Sequence, residues 1–266
     1  MKRFVNRMPI ISSGVITMLF LGIIKLINLL WTADSVAGLF LHEAIFILIP
    51  FLFVVIFGDI RVYARGSVGK TVTAGGYMAI SQSMLFALML LSATVNPETA
   101  WQSPVGILYG IVMLFGIGFR EESIFRGLFV DIIAKKYAKD RRGIFVTAIA
   151  SGIVFGLIHM TNIFTGVDLF SAAIQSVVAI GAGFYFAAVY LRGGSLWTLI
   201  IMHALADAAS MFMPIFTMDG GSAIDTINNL SVINLLPFFM LSGISLFLLR
   251  KQKCDEIIAR YQKTSE

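Results

Sequence analysis

Charge is scarce in this sequence: 13% of the 266 residues are Asp, Glu, Lys or Arg, while 58% are hydrophobic. Soluble globular domains carry about a quarter charged residues and nearer half apolar. The shortage excludes an ordinary water-soluble domain and leaves a polytopic membrane protein. Cysteine is scarcer still. The one residue, Cys254, excludes an intrachain disulfide and says nothing of redox compartment. It follows the last apolar run and reads as an unmodified thiol rather than an acylation site. Histidine occurs three times. There is no Ser–His–Asp signature, no Gly-rich phosphate loop and no Cys cluster. The net charge of +5 calls for no nucleic acid, because cationic loops on one side of a membrane account for it.

What the sequence has is long apolar runs. Membrane helices need about 17–25 such residues. Eight runs qualify: roughly 10–31, 36–57, 71–95, 105–134, 143–160, 170–191, 196–213 and 232–249. The first follows Lys2, Arg3 and Arg7 and resembles a signal peptide. It is too long, holds Lys25 and lacks a small-residue cleavage site, so it reads as an uncleaved span. The connections alternate. Basic ones carry Lys2, Arg3 and Arg7; Arg61, Arg65 and Lys70; Lys135, Lys136, Lys139, Arg141 and Arg142; Arg192; and Arg250, Lys251 and Lys253. The connections between them have no cation. The positive-inside rule then places both termini in the cytoplasm. The expected fold is all-α: a polytopic membrane bundle of about eight helices, one domain over 1–266, in a bacterial plasma membrane.

One stretch breaks the apolar pattern. Gly118-Phe119-Arg120-Glu121-Glu122-Ser123-Ile124-Phe125-Arg126-Gly127 puts four charges into the fourth run. Each charge inside a membrane costs about 2.5–3.5 kcal/mol on insertion scales, so such residues mark a functional site facing a protein-lined cavity. The run itself, 105–134, is too long for the hydrocarbon layer, which implies a strong tilt or a break near Gly116 and Gly118. Glu122 and Arg126 are four apart with Glu first, the favourable order for a helical ion pair. That pairing leaves Glu121 pointing elsewhere. If the fourth and fifth runs fold as a hairpin about Asp140, Glu121 and His159 lie equally far from the fold and reach similar depth. His203 and Asp207 share one face of the seventh run. Phe155 sits one turn before His159, and Gly152 and Gly156 are spaced to let helices approach closely in lipid. His42-Glu43 lacks the second His of a zinc-protease helix, since position 46 is Phe46, and reads as an outer-interface pair.

The chemistry follows from these types. An unpaired Glu in a low-dielectric cavity suits a general base acting on water. His159, His203 and Asp207 can ligate Zn²⁺ with water in an open position. Equally, without metal, the imidazoles can donate to a tetrahedral oxyanion. Both schemes hydrolyse an amide, and the sequence does not choose between them. A transporter relaying protons is a weaker reading, with no inverted repeat to support it.

These residues carry a resemblance. Glu121-Glu122-Ser123-Ile124-Phe125-Arg126 resembles the EExxxR motif of the CAAX-protease and bacteriocin-processing (CPBP, or Abi) family of intramembrane proteases. Phe155-Gly156-Leu157-Ile158-His159 resembles its FxxxH motif, and His203-Ala204-Leu205-Ala206-Asp207 its HxxxN/D motif. The motif-bearing core spans about 105–213. The resemblance implies an intramembrane endopeptidase, labelled a metalloprotease, although a metal-free, glutamate-activated water has also been argued. It implies Glu121, His159, His203 and Asp207 as catalytic residues, with Glu122, Arg126 and Phe155 supporting. Prenyl-protein proteases of the family have Asn where this chain has Asp207. The implied partner is a membrane-associated peptide or protein substrate within the lipid bilayer. Bacterial members also point to an alternative: a non-catalytic immunity or regulatory protein that binds a bacteriocin or sensor.

Overall fold

The computed structural model describes residues 7–31 and 33–263. Lys2, Arg3 and Thr32, which belong to two of the connections read above, lie outside the described residues. All regular structure there is helical, with one isolated antiparallel bridge between Trp101 and Thr217. The order is α1 (Pro9–Leu30), α2 (Val36–Phe57), a 3-10 turn (Ile60–Tyr63), α3 (Val68–Val95) and α4 (Pro104–Glu122). Then come a π-helical segment (Ser123–Val130), α5 (Asp131–Tyr137), α6 (Arg141–His159), a 3-10 segment (Met160–Thr165) and α7 (Leu169–Gly193). The chain ends with α8 (Leu196–Ser210), α9 (Phe212–Phe216), α10 (Ala223–Asn228), a 3-10 turn (Val232–Leu235), α11 (Leu236–Leu248) and α12 (Lys251–Lys263).

Among the described residues, six helices are long and apolar enough to cross a membrane, or seven if the bent pair over 232–262 counts as one span. Two of the eight expected runs therefore differ in form. The seventh is split, with α8 ending at Ser210 and α9 following after Met211. The eighth turns by 68° into α12. That bend has a compositional cause. α12 is mostly polar, and Cys254, Ile257 and Tyr261, which recur at helical spacing, are its buried face. It lies as a strap rather than continuing the span. Cys254 is buried there, its thiol 3.0 Å from the Leu249 carbonyl.

Helix starts follow ordinary capping chemistry. Ser35, Ser67, Ser103, Asp140 and Asp168 each accept a backbone N–H from the first turn of the helix they precede. Asp140, the hinge of the α5–α6 hairpin, accepts from Gly143 at 2.7 Å.

The fourth run neither kinks nor breaks at Gly116 and Gly118. Those glycines serve packing instead: a Cβ on Gly118 would lie 2.7 Å from the Ile200 carbonyl, so its absence lets α8 touch α4. The irregularity lies further on, in the π-helical segment over the motif itself. Such segments are rare, and inside α-helices they concentrate at functional sites. Gly152 and Gly156 do permit a close approach, but to α7 rather than to α4. A Cβ on Gly152 would meet the Ile180 carbonyl at 2.7 Å and the Phe184 nitrogen at 2.9 Å.

The basic connections gather charge at one end of the bundle. Asp59 accepts from Arg61 at 3.0 Å and Lys135 at 2.9 Å, and lies 3.6 Å from Arg65. These bonds, with Arg61 foremost, hold its carboxyl well below the usual range. Arg65 also bonds Asp131 and Tyr190, tying α5 to α7.

Gly152→Leu should destabilise the detergent-solubilised protein by about 1–3 kcal/mol, the range for overpacking. Gly243→Leu, where nothing lies within 4 Å, should change little. Thermal denaturation of the two variants side by side checks this.

Candidate active site

The site is built around Arg126, whose side chain is wholly buried. Its Nη1 donates to Glu122 Oε1 at 2.7 Å and its Nη2 to the Gly183 carbonyl of α7 at 3.3 Å. Three rings pack the guanidinium: Phe155 at 4.8 Å, Phe186 at 5.2 Å and Phe125 at 5.9 Å. Cation–π attraction gains strength when both partners are dry. Removing the Cβ at Gly183 is what lets α6 and α7 close here, since a Cβ would meet Phe155 Cβ at 2.9 Å.

Glu122 passes the constraint on. The same Oε1 lies 2.6 Å from His203 Nδ1. A carboxylate only accepts, so Nδ1 carries the proton and donates. Phe186 stacks on the His203 ring at 5.2 Å and 8°, which fixes its plane. The opposite nitrogen, Nε2, then faces Glu121 Oε2 at 3.5 Å and Asp207 Oδ2 at 3.7 Å. The neighbouring carboxylates differ in access: the Glu121 side chain is 27% exposed and that of Glu122 is 0% exposed, so only Glu121 reaches open space.

His159 stands apart. Its Nδ1 donates to the Phe155 carbonyl at 2.8 Å, within its own helix. The Phe155 ring packs against both imidazoles, 4.8 Å from His159 and 6.1 Å from His203 by ring centroids. The structure therefore brings Glu121, Glu122, Arg126, Phe155, His203 and Asp207 into one cluster, which His159 joins through Phe155. Among the described residues no group of three or more His, Cys, Asp or Glu is placed to hold a metal ion. His159, His203 and Asp207 therefore do not fit a metal as arranged.

Sequence reasoning missed the second partner of Glu43. Its carboxylate is buried, 3.9 Å from His42 Nδ1 and also 3.8 Å from Arg120 Nη1. The Arg120 guanidinium lies over Phe46 at 5.2 Å. The signal was a carboxylate in an apolar helix together with an unassigned cation beside the Glu pair. Phe186 and the Gly183 carbonyl were also missed, because an apolar helix such as α7 marks none of its positions.

Two adjacent glutamates, an imidazole held at Nδ1 and a buried arginine thus stand together inside a multi-pass helical bundle. Residues 101–209 match the family described as Rce1-like, type II CAAX prenyl endopeptidase Rce1-like. All three motifs lie inside that segment, and the match agrees with their resemblance to the CAAX-protease and bacteriocin-processing family. No match was found among curated proteins, and none among solved structures.

Taking one partner from a buried pair strands a charge and costs about 3–5 kcal/mol. Arg126→Met should therefore destabilise more than Arg126→Met combined with Glu122→Gln, since Gln keeps an acceptor for His203. Denaturation midpoints of the single and double variants measure the difference.

Proposed function

We propose that the protein is an intramembrane endopeptidase that hydrolyses a peptide bond of a membrane-associated peptide or protein, with Glu121 as general base. The family match supports a CAAX-type endopeptidase in general. The observation that carries the residue roles is the two-sided setting of His203: Glu122 on Nδ1, and Glu121 and Asp207 facing Nε2.

In this reading Glu121 takes a proton from water, and the hydroxide attacks the carbonyl carbon. In this role His203 carries a proton on each nitrogen, and the oxyanion accepts from its Nε2–H. Preorganised donors of this kind are worth about 10²–10³ in rate. Glu121, now a carboxylic acid, returns its proton to the leaving amine, and the peptide bond breaks. Glu122 and Arg126 act through His203 and are positioning residues. Asp207 is a second acceptor beside Nε2 and holds the imidazolium charge, a role Asn would fill less well. His159, with Nε2 unbonded among the described residues, is assigned to the substrate side of Phe155. The substrate approaches from the end of the bundle with the basic connections, which the charge pattern reads as cytoplasmic.

The test is cleavage of a membrane-peptide library by purified protein in lipid. Glu121→Gln should lower the rate by about 10²–10⁴, the usual contribution of a general base, without loss of membrane abundance. His203→Ala should fall comparably. If Glu121→Gln and wild type cleave equally, the protease reading fails. If neither cleaves and both give the same immunity phenotype, a non-catalytic binder takes its place.

A further inference from the structure

A second polar feature lies away from the protease cluster, at the end of the bundle that carries the basic connections. The start of α3, the end of α7 and the strap α12 enclose a cavity of about 520 Å³. Its charged lining is Lys70, Arg192, Arg260 and Glu256. A smaller cavity of about 260 Å³ adjoins it and shares Gly66 and Arg260.

The charge balance is cationic. Glu256 is bound at 2.9 Å by Arg192 and at 2.6 Å by Lys253, so it is already neutralised twice. Lys70 has no carboxylate partner within 4.0 Å among the described residues, and it is exposed. Arg192 uses Nη1 on Glu256 and keeps further donors. Arg260 gives Nη2 to the Leu191 carbonyl at 2.6 Å. Its Nη1 lies over Gly194, where a Cβ would be 3.1 Å away. Gly194 has φ +79° and Gly66 φ +94°, conformations that glycine adopts without strain. The two turns are pressed together and floor the cavity.

The surroundings favour a lipid over a free anion. Lys70, Ala74 and Tyr77 share one face of α3. Tyr77, about 10 Å along the helix from Lys70, is 40% exposed and reaches Met240 of α11, itself 42% exposed, at 3.8 Å. Tyr77 and Met240 thus offer an apolar flank about two turns along α3 from Lys70. Basic pockets between helices at a membrane surface recognise anionic headgroups by this combination.

We propose that this cavity binds the phosphate of an anionic phospholipid headgroup, with Lys70 and Arg192 as the contacting cations and the acyl chains along the Tyr77–Met240 flank. Because α12 forms one wall, an occupied cavity fastens the strap to the ends of α3 and α7.

The test is the thermal stability of the full chain in neutral detergent, titrated with phosphatidylglycerol, with phosphatidylcholine and with inorganic phosphate. Phosphatidylglycerol should raise the midpoint in a saturable way, as a ligand of the native state does. Phosphatidylcholine and inorganic phosphate should not. Lys70→Glu should weaken the phosphatidylglycerol effect by more than about fivefold, the worth of one basic residue at a charged membrane surface. Lys70→Gln, a milder change, should weaken it in the same direction. Lys251→Glu, on the exposed side of α12, should leave it intact. Equal shifts with both lipids, or equal weakening by Lys70→Glu and Lys251→Glu, overturns the site. A full shift with inorganic phosphate overturns the lipid as occupant. None of these readouts depends on cleavage, so the protease reading stands or falls separately.

Discussion

A guanidinium with no access to solvent governs this structure. Arg126 is wholly buried among aromatic rings, and a lone cation there would be prohibitively costly. Its position is bearable only because Glu122, one turn earlier, neutralises it and because a carbonyl of α7 and three rings complete its shell. Those partners come from three separate stretches of chain. Satisfying one side chain therefore pins the motif helix, α6 and α7 to one another. The pair also leaves one Glu122 oxygen positioned for His203, so the fold's most expensive residue and the site's most constrained ring are joined through a single atom.

The surrounding architecture supplies the closeness that this requires. Gly118 opens α4 to α8, Gly152 opens α6 to α7, and Gly183 opens α7 to Phe155. Each contact brings backbone against backbone where a methyl group would intrude. In lipid, where hydrophobic association between helices is weak, such small-residue contacts hold the helices together. The polar connections do the same at the basic end, where Asp59, Arg61, Arg65, Asp131 and Lys135 form one network.

Much of this was legible in the residues. The apolar runs announced a helical membrane bundle, and i,i+4 spacing announced the Glu122–Arg126 pair and the shared face of His203 and Asp207. What stayed hidden was whatever depends on partners. Gly152 and Gly156 advertised a close approach but not to which helix, because spacing along one helix carries no address for the other. Glu43 looked peripheral because its partner, Arg120, is 77 positions away in the chain. Counting from the hairpin matched His159 to Glu121 in depth but could not see that Phe155 packs against both imidazoles. The number of spans blurred where helices shorten or bend, as α8 and α11 do, since hydropathy reports composition and not continuity.

The π-helical segment over Ser123–Val130 has its own implication. Wider coiling accommodates a residue that a regular α-helix would not. Deleting one residue there would restore ordinary pitch and change how the two flanking stretches are turned about the axis relative to each other. Both glutamates would then aim at different neighbours although every letter of the motif survived. The length of that stretch is thus a part of the signature that no pattern of residue types records.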